Sequence, residues 1–170
     1  GYLSTLVPPD ARHAKNPGRW VTQKKWPSSE VTTRRVFFGD GHLSDTSFAG
    51  SQVQVRSPQS CGLDSGEYMP WYMTGPSSQL ALDQRGDDSK SVTFDGELLQ
   101  EPLEILGTPR VELVVTPSTS SGLIATRLCD VWPHGASTLI CYGVLNLAQR
   151  DGKDTPVEMN PGATYRVRVR

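Results

Sequence analysis

From Ser91 onward the chain is a series of short apolar runs separated by glycine, proline, serine or aspartate. The runs are SVTFD, EPLEILG, RVELVVTP, LIATRLCDVW, STLICYGVLNL and ATYRVRVR. Strands at such regular spacing are typical of a β-sandwich or a barrel. No window of about eleven or more residues keeps apolar positions at i, i+3, i+4 and i+7. The pattern therefore predicts an all-β chain.

The first 90 residues are less regular. Residues 1–30 mix proline, lysine and arginine with two tryptophans and have no clean period, which predicts an irregular lead-in segment. The β-branched and aromatic run VTTRRVFF, 31–38, predicts a strand that ends at the turn GDG. Serine, glutamine, proline and glycine then predict a long loop over about 44–90, and such loops usually bind or cover something. We expect the sandwich domain to occupy residues 31–170.

Size and charge narrow the possible partners. A chain of 170 residues is about one domain by length. Seventeen lysines and arginines oppose eighteen carboxylates, and this formal charge of −1 is spread along the chain. That balance predicts neither a nucleic acid nor a membrane as partner, and no apolar run is long enough to span a bilayer. The first residue is not methionine, which suggests an excised piece.

The three cysteines, Cys61, Cys129 and Cys141, cannot all pair within one chain. They show no C-x-x-C spacing or Cys/His cluster that would indicate zinc. Reduced thiols and a cytoplasmic location are the simpler expectation. The short signatures of active sites, G-x-S-x-G, H-E-x-x-H, the P-loop and G-x-G-x-x-G, do not occur. We therefore expect no catalytic residue, no metal and no cofactor in this chain.

The stretch RLCDVWPHGAS, 127–137, brings together residue types that nucleophilic catalysis uses, namely Cys129, Asp130, His134 and Ser137. Neighbouring strand residues point to opposite faces, so Cys129 and Asp130 cannot easily serve one site. Pro133 and Gly135 occupy the second and fourth positions of a predicted type I turn. We expect a hairpin in which the Asp130 carboxylate accepts backbone N–H groups and fixes the register. An enzyme using Cys129 with His134 is the minor alternative.

Two loops carry further candidates. The acidic run DQRGDDSK, with Asp83, Asp87 and Asp88, offers oxygen ligands that calcium could use, but its spacing does not match an EF-hand. We expect a solvated or ion-paired loop there. The loop GEYMPWYMTG, 66–75, is rich in aromatic residues, which either cover the domain's own core or form a contact surface for a partner or ligand. Its aromatic residues are Tyr68, Trp71 and Tyr72.

The ordered segments resemble a known family. DQRGDDSKSVTFDGELLQEPLEILGTPRVELVV, LIATRLCDVWPHGASTLICYGVLNLAQRDG and TPVEMNPGATYRVRV are similar to the C-terminal domain of the X-Pro dipeptidyl-peptidase and cocaine esterase-like serine hydrolases. PGRWVTQKKWPSSEVTTRRVFFGDGHLS resembles the segment that leads into that domain. The likeness covers most of residues 17–169. Pro133-His134-Gly135 departs from the Pro-Asp-Gly turn common in the family.

The resemblance implies a jelly-roll β-sandwich of the galactose-binding-like type behind an α/β-hydrolase domain of the same polypeptide. That domain would hold the catalytic triad and bind a small acyl ester or peptide substrate, here in a pocket that this chain helps to shape. The resemblance also implies a further strand or two, so the sandwich is expected to be truncated at its C-terminal end. A carbohydrate- or ligand-binding module is the alternative. The residues expected at the interface or pocket are Tyr68, Trp71, Tyr72, Trp20 and Trp26.

Overall fold

The computed structural model describes residues 1–10, 13, 15, 17–48, 52–66 and 80–170. Its regular structure is almost entirely β, which confirms the all-β prediction. In the described residues the strands pair two by two. The jelly-roll order of strands stays a prediction. The chain divides into a first unit, Gly1–Leu106 with Asp130–Thr138, and a second unit, Gly107–Cys129 with Leu139–Arg170.

The first unit begins with a small antiparallel pair. β1 (Tyr2–Ser4) lies beside β2 (Gly18–Trp20), with Tyr2 opposite Trp20. Both strands lie within residues 1–30, where the sequence predicted an irregular segment. Of the predicted strand 31–38, only β3 (Phe37–Phe38) forms, paired with β4 (Leu43–Ser44).

Two strands predicted for this unit do not form. In SVTFD only Asp95 takes part in a β-bridge, with His42, and the residues of EPLEILG belong to no strand. A strand needs a hydrogen-bonded neighbour, and the described residues provide none for EPLEILG. The predicted loop region contains a 3-10 turn, Leu63–Ser65, and the one-turn helix α1 (Arg85–Asp88).

The second unit is built on the antiparallel pair of β5 (Val111–Val115) and β8 (Tyr165–Val169). Alternation places Leu113, Val115 and Val167 on the inner face of this pair, against the buried Leu147 and Met159. The outer face carries the exposed ion pair Glu112–Arg168. The small buried core of this unit therefore lies on one side of the sheet.

One arginine closes this core at its edge. The side chain of Arg150 is 9% exposed, and its Nη1 donates to the carbonyls of Leu147 at 3.1 Å and Val157 at 2.7 Å. Its guanidinium carbon lies 4.7 Å from the centre of the Tyr165 ring. Arg150 thus satisfies backbone acceptors and also covers an aromatic residue of the core.

β6 (Leu123–Val131) and β7 (Ser137–Asn146) pair with each other as a hairpin. Within the second unit, Gly143 of β7 lies against the end of the chain. A Cβ at this position would be 2.6 Å from the carbonyl oxygen of Arg170 and 3.0 Å from Cγ1 of Val169. Only glycine allows the backbones to approach this closely.

Candidate functional site

Exposed aromatic side chains lie on and beside the β1–β2 pair of the first unit. Trp20 at the end of β2 is 80% exposed, and Trp26 is 63% exposed. The pairing register brings Tyr2 next to Trp20, and their ring centres are 5.3 Å apart in an edge-to-face arrangement. Exposed large aromatic rings grouped on one surface are typical of a contact site. We call Tyr2, Trp20 and Trp26 the aromatic face.

A partly open apolar groove adjoins this face and has a volume of about 230 Å³. Its walls are mostly hydrocarbon, with one amide side chain. The groove is of a size to receive one or two large apolar side chains, and it holds no group suited to bond cleavage. The lining residues are Gly1, Tyr2, Leu3, Val21, Gln23, Trp26 and Leu106.

Of the five residues predicted at an interface or pocket, the structure places Trp20 and Trp26 in the same unit, both on the surface. Tyr68, Trp71 and Tyr72 lie outside the described residues, so their role stays a prediction. Sequence reasoning missed Tyr2 and Leu106, which line the groove with Trp26. Strand β1 is only three residues long, which is too short for a recognisable alternation.

The turn between β6 and β7, within RLCDVWPHGAS, lies in the first unit and is closed by two backbone hydrogen bonds. The N–H of Gly135 donates to the carbonyl of Trp132 at 2.7 Å, and the N–H of Trp132 donates to the carbonyl of Ala136 at 2.8 Å. Pro133 follows Trp132, and Gly135 has a φ of 88°. A type I turn followed by one left-handed residue has this arrangement, and glycine adopts the left-handed conformation without strain.

The carboxylate that contacts this hairpin is Asp83, which precedes helix α1. Its Oδ1 accepts the backbone N–H groups of Ser137 and Arg85, each at 3.1 Å, and its Oδ2 accepts Nε of Arg85 at 2.8 Å. These bonds, chiefly those from the Arg85 guanidinium, hold the pKa of the Asp83 carboxyl below its ordinary value, against the opposing effect of burial. Within the described residues the Asp130 carboxylate accepts no hydrogen bond. Asp83 therefore makes the backbone contact expected of Asp130.

A buried polar cluster supports this junction from the side of α1. The side chain of Gln84 is fully buried and donates through Nε2 to the carbonyls of Asp64 at 2.7 Å and Leu82 at 2.8 Å. Asp87 is also fully buried, and its Oδ2 accepts the N–H of Asp64 at 3.1 Å. Asp83 and Asp87 thus bind protein groups, and no metal-ligating cluster of three or more residues forms within the described chain.

The nucleophile-type residues of this region are not arranged for catalysis. The side chain of Ser137 is buried, with 1% exposure. His134 lies at the turn, its ring centre 6.4 Å from that of Trp132. In the second unit, burial raises the pKa of the Cys141 thiol, which disfavours the reactive thiolate.

In the described part of the chain, no helix is long and apolar enough to cross a membrane.

Known proteins similar to this chain are a family of domains and several esterases. The X-Pro dipeptidyl-peptidase C-terminal non-catalytic domain matches residues 7–170. Cocaine esterase from a Rhodococcus species is 22% identical over 164 residues, which are 88% of this chain and 28% of the esterase. Proteins named as inferred serine esterases from Mycobacterium bovis and Mycobacterium tuberculosis are each 28% identical over 153 residues, which are 87% of this chain and 24% of theirs.

The chain thus spans about a quarter of the length of these curated relatives. The family match, in contrast, extends over residues 7–170 and so over nearly the whole chain. The resemblance read from the ordered segments is therefore confirmed. The chain belongs to the family of X-Pro dipeptidyl-peptidase C-terminal non-catalytic domains.

Proposed function

We propose that this chain is the accessory domain of a serine hydrolase, that it packs on an α/β-hydrolase catalytic domain of the same polypeptide, and that it helps to shape the substrate pocket. The substrate would be a small acyl ester or an X-Pro peptide, bound by the catalytic domain. The family match supports the non-catalytic role. The relatives are about four times longer than the matched region, which leaves room for a catalytic domain.

The aromatic face carries the packing part of the proposal. Aromatic side chains each bury about 150–250 Å² when they are covered, and tryptophan and tyrosine are enriched where interfaces hold most of their binding energy. Trp20 and Trp26 expose most of their surface in this chain. Covering them with the catalytic domain would remove a large apolar area from water. The groove beside Trp26 would receive an apolar side chain of that domain.

The test is made in the full-length parent protein with Trp20→Ala and Trp26→Ala. If both indoles are covered, each substitution should destabilise the parent by about 2–4 kcal/mol, the range of interface hot spots. Thermal unfolding measures this loss, and steady-state kinetics with a nitrophenyl ester and an Xaa-Pro anilide measure KM and kcat. Val114→Ala, at a residue that is 66% exposed in the second unit, is the matched control. Unchanged unfolding and kinetics in both tryptophan variants would refute the packing.

Tyr68, Trp71 and Tyr72 are assigned by this proposal to the interface or to the acyl side of the pocket. The assignment rests on the family resemblance and on the aromatic composition of the 66–75 loop. Trp71→Ala in the parent should raise KM if the ring lines the pocket, or lower the melting temperature if the ring packs at the interface. A variant with the parent's KM, kcat and melting temperature would remove Trp71 from both roles.

A second candidate function is carbohydrate binding. One observation favours it, namely that Trp20 presents a largely exposed indole with Gln23 lining the adjoining groove, a combination of stacking surface and polar group that suits a sugar ring. Titration of the isolated chain against a panel of saccharides tests it, with Trp20→Ala as the paired variant. Saturable binding that disappears in Trp20→Ala would favour this function over packing.

A further inference from the structure

The outer face of the β5–β8 pair in the second unit is rich in arginine. Alternation along the two strands, and by one residue beyond them at Arg110 and Arg170, directs its side chains away from the core residues Leu113 and Val167. All the residues on this outer face are exposed. We call them the arginine face, and they are Arg110, Glu112, Val114, Arg166, Arg168 and Arg170.

The pairing register brings these side chains close together. Glu112 lies opposite Arg168, and Val114 lies opposite Arg166. Oε1 of Glu112 accepts Nη2 of Arg168 at 2.6 Å and Nε at 3.1 Å, so one arginine of the face is neutralised by an ion pair. The other three arginines leave the face with a formal charge of +3.

The charge of the arginine face differs from that of the remaining chain. The chain's seventeen basic and eighteen acidic residues, less these four arginines and one glutamate, leave thirteen against seventeen. A face of +3 is thus set in a chain that otherwise carries −4. Neighbours on one strand face are about 7 Å apart, and like charges at such positions repel each other. This repulsion opposes the stability of the domain by itself, which points to a stabilising partner outside it.

The arginine side chains determine the chemistry of that partner. A guanidinium group donates hydrogen bonds from a planar fork, and the fork matches the two oxygens of a carboxylate. Val114 is 66% exposed and adds an apolar contact beside Arg166. A protein surface with several aspartate or glutamate side chains next to an apolar residue is therefore complementary to this face in charge and in polarity.

The size of the arginine face favours a partner that is tethered to it. Its two strands have five residues each, and such a pair presents roughly 17 Å by 10 Å, on the order of 170 Å². Stable interfaces between separate proteins bury about 800 Å² on each partner. The face is too small to hold a separate molecule by itself. It is large enough to align a domain of the same polypeptide, because the connection has already reduced the entropy that association costs.

We propose that the arginine face binds carboxylates on the surface of the catalytic domain of the same polypeptide. The inference rests on the proposed function, which supplies that domain as the partner. It adds a charged contact of the second unit to the apolar contact assigned to the aromatic face of the first unit. The partner surface carries aspartate or glutamate side chains opposite Arg110, Arg166 and Arg170.

Thermal unfolding of the full-length parent at low and high salt tests this contact. At about 0.02 M salt, Arg166→Gln should lower the melting temperature by about 1–3 °C. Arg166→Glu should lower it by about twice as much, because a glutamate would face the partner's carboxylates. Both differences should fall to less than about half at 1 M salt. In the isolated chain the same substitutions relieve repulsion and should leave the melting temperature unchanged or raised. Lys153→Gln, at an exposed loop position of the second unit, is the matched control.

Equal losses in the parent and in the isolated chain would assign Arg166 to the fold of this domain and overturn the proposal. An unchanged melting temperature of the parent in Arg166→Glu would show a solvated face and overturn it as well. So would a melting temperature of the isolated chain that rises with protein concentration only when Arg166 is present, because the partner is then a second copy. Trp20→Ala and Trp26→Ala report separately on the proposed packing. If they destabilise the parent and Arg166→Glu does not, the charged contact is wrong while the packing stands.

Discussion

Replacing Asp83 by alanine should destabilise the chain because one carboxylate serves both α1 and the hairpin. The substitution removes the acceptor of two backbone N–H groups, those of Arg85 and Ser137, and the partner of the Arg85 guanidinium. Hydrogen bonds to a charged group contribute about 1.5–3 kcal/mol each when buried. The Asp83 side chain is 30% exposed, so water replaces part of this loss. We expect a loss of about 2–3 kcal/mol in the free energy of unfolding.

Urea unfolding followed by tryptophan fluorescence measures this difference. A thermal scan should show the melting temperature falling by about 5–10 °C, since a chain of this size loses about 2–4 °C per kcal/mol. Asp130→Ala is the matched control, because the Asp130 carboxylate accepts no hydrogen bond in the described structure and its removal should cost less than about 0.5 kcal/mol. A larger loss for Asp130→Ala than for Asp83→Ala would refute the assignment of the hairpin contact to Asp83.

The same carboxylate gives the chain an acid-sensitive contribution to stability. The pKa of Asp83 is lower in the folded chain than its ordinary value of 3.8. Such a group contributes fully above the unfolded-state pKa, and its contribution is lost as the pH falls through the folded-state pKa. The free energy of unfolding of the unsubstituted chain, minus that of Asp83→Asn, should therefore be constant above about pH 5 and shrink below about pH 4. A difference that stays constant down to pH 2 would show that the charge of Asp83 is not involved.

Three further substitutions test other contacts of the fold, each by thermal unfolding of the chain. Gly143→Ala should lower the free energy of unfolding by about 1–3 kcal/mol, because the added Cβ meets the backbone of Arg170. Gly152→Ala, where a Cβ meets open space, should change the stability little. Equal effects of the two substitutions would contradict the close approach at Gly143. Gly135→Ala should cost about 1–2 kcal/mol because of its positive φ, with His134→Ala nearly neutral. Arg150→Gln should cost about 2–3 kcal/mol by leaving carbonyl acceptors unsatisfied, and a neutral result would remove Arg150 from the core.

The sequence predicted correctly those elements whose hydrogen-bonded partners are close together in the chain. The hairpin of β6 and β7 needs only two adjacent runs and a Pro-His-Gly turn, and it forms where the sequence predicts it. The backbone contact expected of Asp130 is made by Asp83, which is distant in sequence, so no local rule could identify it. EPLEILG has the composition of a strand, but a strand also requires a hydrogen-bonded partner, and the residues that the structure describes provide none.

The aromatic face shows the same limit. The family resemblance led us to expect Trp20 and Trp26 at an interface or pocket, and both lie on the surface of the first unit. Tyr2 and Leu106, which line the groove with Trp26, are about a hundred residues apart in sequence and meet only in the folded unit. Sequence reasoning can thus select large aromatic residues that the fold leaves exposed, and their part in a contact stays a prediction. The pocket beside them depends on pairing between distant parts of the chain.

The environments of the reactive residue types agree with the non-catalytic description of the family. Near the hairpin, Asp83 is engaged by Arg85 and two backbone amides, and the Ser137 side chain is closed to substrate by burial. Burial also raises the pKa of the Cys141 thiol. Under the proposed function, this domain influences hydrolysis through its surfaces rather than through reacting atoms. Under this proposal the aromatic face, where Trp20 and Trp26 are largely exposed, is where substitutions should change the activity of the full-length protein.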